Sequence, residues 1–369
     1  MINSNPVRVS ASGLDAVAAT LKSGVVARGP CITALEQSFL AVTRAENAVA
    51  VANGTVALVL AGMATGIAPD DTVLVSGFSF ASTANAFLAL GCRVVAVDIS
   101  PDSYNIDDSA LADAIRRYPQ ARALVVVDLF GNTAGTDEAI ATARQHGLVV
   151  IEDAAQAVGA HDSVGEPIGR RADVTTFSLY ATKNVFAGEG GVVVSPNTQI
   201  TDRVRALADH QTIEVDGRRL IGLNYRMNEL GAALALTQMP MLAEFTQRRR
   251  DRARQLADAC IEAWPNSVTV PPEASRLDDQ ISPRHVFHQF TVSAYDEAMR
   301  GTLQDRLRQH DVETRRFYPY ALSSLPGMAA SPTPLAEDLA TRCFSLPIAH
   351  ALTEEEFGVV LEAVRNSGD

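Results

Sequence analysis

TTFSLYATKNVFAGEGG, residues 175–191, sets a lone lysine, Lys183, among hydroxyl-bearing and small side chains and follows it with Gly188, Gly190 and Gly191. The flanking run VTTFSLYA has the β-branched and aromatic content of a buried strand. The glycines then allow a tight return into a second apolar run, VVVS. A lysine attacks a carbonyl carbon only when neutral, which requires burial or a neighbouring cation to lower its pKa. A strand end, small neighbours and a glycine turn therefore predict Lys183 in a pocket, whereas an isolated lysine in a plain setting would be a solvated charge.

Outward from this stretch, residues 49–196 alternate short apolar runs with helix-like segments. The runs DTVLVSG, CRVVAVDI, ALVVVDLFG, LVVIEDAA, VTTFSLYA and GGVVVSP are continuous enough to be strands buried on both faces. Between them TVALVLAGMATG, STANAFLALG, DDSALADAIRRYP and TDEAIATARQHG read as helices, with Gly or Pro at their ends. The fold class is α/β, with a mostly parallel central sheet flanked by helices.

After Asn224 the pattern changes. A long helical stretch, residues 227–264, carries Pro240 as a kink or break; the loop PPEASRLDDQISP, the strand HVFHQFTVSA and the helix DEAMRGTLQDRLRQH follow. This predicts a smaller C-terminal α+β domain over residues 242–369, with residues 1–241 forming an N-terminal segment plus the large domain. The basic run QRRRDRAR, residues 247–254, is expected to be a solvated helix face.

The chain has 369 residues, 47% of them hydrophobic, enough for a proper core, and its formal charge of -12 opposes binding to nucleic acid or anionic lipid. Cys31, Cys92, Cys260 and Cys343 lie far apart without CxxC or histidine spacing, so reduced, buried thiols and no metal site are expected. The opening residues lack a signal-peptide pattern and no apolar run reaches ~20 residues, which predicts a cytoplasmic protein that does not enter a membrane.

Three features near the strand ends bear on chemistry. Asn53-Gly54-Thr55 closes one apolar run and opens an amphipathic helix, where free N–H groups and the Thr55 hydroxyl suit a phosphate; an ordinary turn with Thr55 as helix cap fits the same residues. No GxGxxG or GxxxxGK[ST] motif occurs. Glu152-Asp153 ends a strand where open α/β sheets bind ligands, so the acid serves a ribose hydroxyl, a metal or a protonated ring nitrogen, or else caps a helix AAQAVG. Gln156 lies one turn on. A phosphate cradle, a strand-end aspartate and a pocketed lysine, in that order, are the parts of a pyridoxal phosphate site.

The segments ANGTVAL, SGFSFASTANAF, EDAAQAVGA, FSLYATKN with GEGG, and GLNYRMNEL resemble the successive motifs of the DegT/DnrJ/EryC1/StrS aminotransferases. These are pyridoxal-phosphate enzymes of fold type I that act on nucleotide-linked keto-sugars. ARGPCITALEQSF and LPIAHALTEEE extend the resemblance over nearly the whole chain. It implies Lys183 as the Schiff-base and proton-shuttling lysine, Asp153 as partner of the pyridine nitrogen and Gln156 near the ring hydroxyl. It further implies Phe80 stacked on the ring, and Gly54, Thr55 and Ser178 around the phosphate. Asn224 would reach that phosphate from a neighbouring subunit, giving a homodimer with shared sites. Tyr180, Arg226, His288 and Tyr318 are candidates for substrate contacts.

The implied reaction moves an amino group from L-glutamate to a keto-sugar linked to dTDP or UDP; an inosose-type cyclitol ketone is an alternative acceptor. Two departures bear on the acceptor: Tyr180 stands where relatives commonly have histidine, and RRFYPYALSSLPG lacks a histidine often found after the Tyr-Pro element. Lys183 argues against a sugar-deoxygenating relative, which has histidine there. A non-catalytic, cofactor-binding regulator is the remaining alternative.

Overall fold

The computed structural model describes residues 1–275 and 284–368. Its centre is a seven-stranded sheet of β1 (Asn47–Val51), β2 (Thr72–Ser76), β3 (Arg93–Val97), β4 (Ala121–Val127), β5 (Val149–Asp153), β6 (Val174–Ser178) and β7 (Gly191–Ser195), in spatial order β1-β7-β6-β5-β4-β2-β3. The pairs from β3 through β6 are parallel; β7 runs antiparallel to both β6 and β1. Alternate residues face opposite sides: Val73 and Val75 of β2 join one core with α3 (Gly54–Ala64) and α4 (Ser82–Ala89), while Leu74 joins another with α5 (Asp108–Arg117) and α6 (Thr136–Gln145). Helices on both faces explain why the strands are unbroken apolar runs in the sequence. α7 (Thr198–Ala208) adds to the first core.

On the far flank α1 (Ala11–Ser23) and α2 (Pro30–Thr43) pack on α8 (Glu229–Leu236). Both carboxylate oxygens of Glu229 accept from the first turn of α2, from Cys31 N at 2.9 Å and Ile32 N at 2.9 Å. Between them, residues 212–221 form a hairpin, β8 (Thr212–Val215) and β9 (Arg218–Ile221), around the positive-φ pair Asp216-Gly217. Such an Asp-Gly step between apolar alternations is a hairpin signal that the sequence analysis passed over.

Pro240 breaks the long helical stretch rather than kinking it: α8 ends at Leu236 and α9 (Leu242–Ala263) begins after a 3-10 turn. α9 packs with a three-stranded antiparallel sheet of β10 (Val268–Thr269), β11 (Phe290–Ala294) and β12 (Cys343–Leu346) and with the later helices. After α10 (Pro272–Ser275), a single turn at the start of the expected loop, these are α11 (Glu297–Gln309), α12 (Pro334–Arg342) and α13 (Glu354–Asn366). The rest of that loop, residues 276–283, lies outside the described residues. The strand expected from His285 starts only at Phe290; before it His285 and Phe287 stack, with ring centroids 3.7 Å apart.

The basic run of α9 is not a solvated face. Arg249 and Arg252 are 1% and 2% exposed, on the same stripe as Ala253, Leu256 and Cys260. Arg249 Nη1 donates to the carbonyls of Phe287 (3.2 Å) and His288 (3.1 Å), and Arg252 to those of Ala349 (2.5 Å) and Leu352 (2.9 Å) and to Glu354 (2.7 Å). Irregular segments packed against the helix leave main-chain carbonyls without ladder partners, and the guanidinium groups supply the missing donors. Among the cysteines Cys31 is only half-buried; all four are free thiols.

Candidate active site

Register brings the polar groups of the opening stretch to one end of the sheet. Gly191, the first residue of β7, pairs with Val51 at the end of β1 and with Ser178 at the end of β6. A Cβ on Gly191 would stand 2.5 Å from Asn53 O, so only glycine lets the returning chain pass there. Beyond Val51, Asn53 and not Thr55 caps α3, its side chain accepting from Val56 N at 2.9 Å. That leaves Thr55 Oγ1 to meet Ser82 Oγ at 2.8 Å, while Gly54 lies so close to Ser178 that an added Cβ would come within 2.9 Å of its Cβ. Gly54, Thr55, Ser82 and Ser178 thus surround a helix N-terminus, a setting for a phosphate.

Asp153 is the last residue of β5 and is buried. Its carboxylate accepts from Thr83 Oγ1 at 2.7 Å and, in a turn, from Ala155 N at 3.2 Å; the expected helix AAQAVG is a series of turns. Since the one Thr83 proton goes to the carboxylate, Ser79 Oγ, 2.8 Å away, donates to Thr83. Burial raises the Asp153 pKa, against these hydrogen bonds and the charge of Lys183. Glu152 points to the opposite face, where it binds Arg171 at 2.5 Å and Thr175 at 2.6 Å and takes no part in the site.

Lys183 follows a turn closed by Lys183 N donating to Tyr180 O at 2.9 Å. Its side chain is half-buried, and among the described residues no hydrogen bond or ion pair holds it. Desolvation lowers its pKa from 10.5 to about 8, with the Asp153 charge acting the other way. A neutral amine is therefore accessible near neutrality, as a carbonyl nucleophile requires.

A further wall is aromatic. Phe80 is 55% exposed, so it does not belong to the core, and its ring centroid lies 5.8 Å from that of the buried Tyr318. Gln156 is fixed at both ends: Oε1 accepts from Phe130 N at 2.6 Å and Nε2 donates to Tyr318 OH at 2.9 Å. Burial raises the Tyr318 pKa, so it stays a phenol with its own proton to donate. An amine, a buried carboxylate, an exposed aromatic face and a helix N-terminus fit a flat, phosphorylated ring that carries an aldehyde and a basic nitrogen.

Known proteins share this fold and much of this sequence. The model of the DegT/DnrJ/EryC1/StrS aminotransferase family matches residues 8–365. The chain belongs to the DegT/DnrJ/EryC1/StrS aminotransferase family. Its relatives include the pleiotropic regulatory protein of Geobacillus stearothermophilus, 32% identical over 91% of this chain and 89% of that one. A second, the UDP-N-acetyl-3-dehydro-alpha-D-glucosamine 3-aminotransferase of Acidithiobacillus ferrooxidans, is 31% identical over 90% and 88%. The crystal structure of S. venezuelae DesV in complex with a ketimine intermediate matches at TM-score 0.85, with 31% identity over 96% of this chain and 94% of that one.

Of the other residues marked by resemblance to the family, Tyr180 is exposed beside the lysine turn. Arg226 pairs with Asp209, which also binds Arg28 at 2.8 Å, while its backbone bridges to Val51 at the sheet edge. Asn224 is exposed and bridges to Asp209 through its backbone, with exposed Ile221 and Leu223 nearby. His288 is buried, bonded to Asn184. Sequence analysis missed Ser79, Ser82, Thr83 and Asn184. The hydroxyl-rich SFAST, just past the β2 run, is the signal that could have marked the first three.

Proposed function

We propose that the chain is a pyridoxal-5'-phosphate-dependent aminotransferase that takes the amino group of L-glutamate and gives it to a nucleotide-linked keto-sugar. The observation that carries this reading is the free, low-pKa Lys183 on the same sheet edge as buried Asp153 and the α3 N-terminus. The N–H groups of Gly54 and Thr55 and the hydroxyls of Thr55 and Ser178 hold the phosphate. Asp153, oriented by Thr83, would accept from the pyridinium N–H, and Phe80 would cover one ring face. Gln156 and Tyr318 would hold the ring hydroxyl. Bound there, the cofactor supplies an electron sink for cleavage of the bond between hydrogen and the amine-bearing carbon. Lys183 Nζ would take that proton from the donor carbon and pass it to the aldehyde-derived carbon of the cofactor, and in the second half of the cycle would carry a proton from there to the acceptor carbon.

Three relatives carry UDP-, GDP- and dTDP-linked sugars in their names, which supports a nucleotide-sugar acceptor here. To its contacts we assign Tyr180 and Arg226, and to Asn224 a place in the site of a second subunit of a homodimer. One relative is named a regulatory protein, so a cofactor-binding regulator is the second reading.

Purified chain incubated with pyridoxal phosphate should show the visible band of a lysine imine, and L-glutamate should bleach it with release of 2-oxoglutarate. Lys183→Ala should lack the band. A band that survives in Lys183→Ala sinks the lysine assignment; a band that glutamate leaves unchanged favours the regulator. Mass analysis of products from a panel of nucleotide-linked keto-sugars then identifies the acceptor.

A further inference from the structure

Asn184, directly after Lys183, is 2% exposed, and its Oδ1 lies 3.1 Å from His288 Nδ1, on the segment that leads into β11. An amide oxygen only accepts, so His288 Nδ1 carries the proton. The imidazole is itself 2% exposed; burial first, then the charges of Lys183, Arg249 and His350, push its pKa well below the usual value and keep it neutral. Arg249 of α9 anchors this segment through the carbonyls of Phe287 and His288. Among the described residues Asn184 Nδ2 has no partner, so there the bond to His288 is the whole of what holds this buried amide. Other restraints on the lysine turn act through its main chain: Tyr180 N on Ser178 Oγ, Lys183 N on Tyr180 O, Ala187 N on Leu179 O, and Phe186, whose N donates to Gln238 Oε1 at 3.1 Å and whose O accepts from Gln238 Nε2 at 2.7 Å.

We propose that His288 is a positioning residue for Lys183: its hydrogen bond to Asn184 holds the 183–184 segment so that the lysine side chain stays in the desolvated pocket at the sheet edge. The chain of contact runs from Arg249 through His288 and Asn184 to the nucleophile, so the segment before β11 sets a group presented by the end of β6. His288 acts on the lysine and not on the sugar. This rests on the reading of Lys183 as the nucleophile, yet its test needs no cofactor.

The test is the pH dependence of amine labelling at Lys183 in the cofactor-free full-length chain, read by peptide mass analysis, beside the melting temperature. The wild-type midpoint is expected near 8. In His288→Leu it should rise by about one unit or more toward the ordinary lysine value. His288→Gln keeps a neutral N–H donor and should hold the wild-type midpoint. Asn184→Ala breaks the same bond from the other side and should reproduce the rise, which keeps the test open where His288→Leu does not fold. An unmoved midpoint in the folded variants that lack the bond, even with a lowered melting temperature, overturns the proposal, as does His288→Gln shifting as far as His288→Leu. Failure of the wild type to form a visible band with pyridoxal phosphate would instead strike the functional reading and leave the labelling result standing.

Discussion

Among the described residues Lys183 is a half-buried amine without a bonded partner, and that condition has a cost in the cofactor-free chain. Its pKa falls from 10.5 to about 8, so between those values the unfolded chain binds more protons than the folded one and stability rises with pH. Below about 8 the folded state carries the full penalty of a desolvated cation. Lys183→Met should therefore be more stable than the wild type by about 1–3 kcal/mol at pH 7. Urea unfolding of both chains checks this: the gap should close as pH rises through 8 to 10.5, and a gap independent of pH would refute it. Gly54→Ala acts on the other end of the site. Its methyl would meet Ser178 Cβ at 2.9 Å, so pyridoxal phosphate should bind at least about tenfold more weakly, with a stability loss of about 1–3 kcal/mol. Gly54, Asp153 and Lys183 were legible because each sits where a strand pattern ends. The bond of Thr83 to Asp153 was not, nor that of Tyr318 to Gln156, because both span long stretches of chain.

Between elements, charge placement does much of the joining. Arg171 binds Asp128 at 2.7 Å, Glu152 at 2.5 Å and Asp137 at 2.8 Å, tying β4, β5 and α6 together out of water. Arg171→Met strands two buried carboxylates and should cost about 3–5 kcal/mol at pH 7. Burial already pushes the Asp128 pKa up, against Arg171; without the guanidinium the folded state takes protons more readily than the unfolded one. The deficit should therefore shrink as pH falls toward 5, which chemical denaturation at the two pH values measures. Glu229 works similarly where α8 meets α2: Glu229→Gln loses one acceptor and the charge at a helix N-terminus, about 1–2 kcal/mol in the same measurement. Neither contact is visible locally. Asp153 shows the same limit in reverse: EDAAQAVGA reads as a capped helix, but the carboxylate turns back on Ala155 N and the segment never winds up.

For the molecule as a whole, Phe80, Tyr180, Ile221 and Leu223 are large exposed side chains, the last two beside Asn224 in the chain, and exposed apolar surface of this kind suits a second copy. On the proposal of a homodimer with shared sites, mixing and refolding two inactive variants, Lys183→Ala and Asn224→Ala, should restore activity. A mixed dimer places both lesions in one site and leaves the other intact, so equal mixing yields about a quarter of wild-type turnover. Absence of recovery in verified mixed dimers would mean that Asn224 serves its own subunit's site. Among the described residues no helix is long and apolar enough to cross a membrane.

The α/β class, the strand runs, the glycine return behind Lys183 and the aspartate at the β5 end were all determined by the sequence by itself, because periodicity and backbone freedom are local properties. Tertiary structure alone decided which charges are buried. QRRRDRAR reads as a wet face, yet Arg249 and Arg252 turn inward because carbonyls from segments about forty and a hundred residues downstream need donors. It also decided what stands beside the nucleophile: Asn184 and His288 lie 104 positions apart, and their hydrogen bond exists only once the chain has folded back on itself.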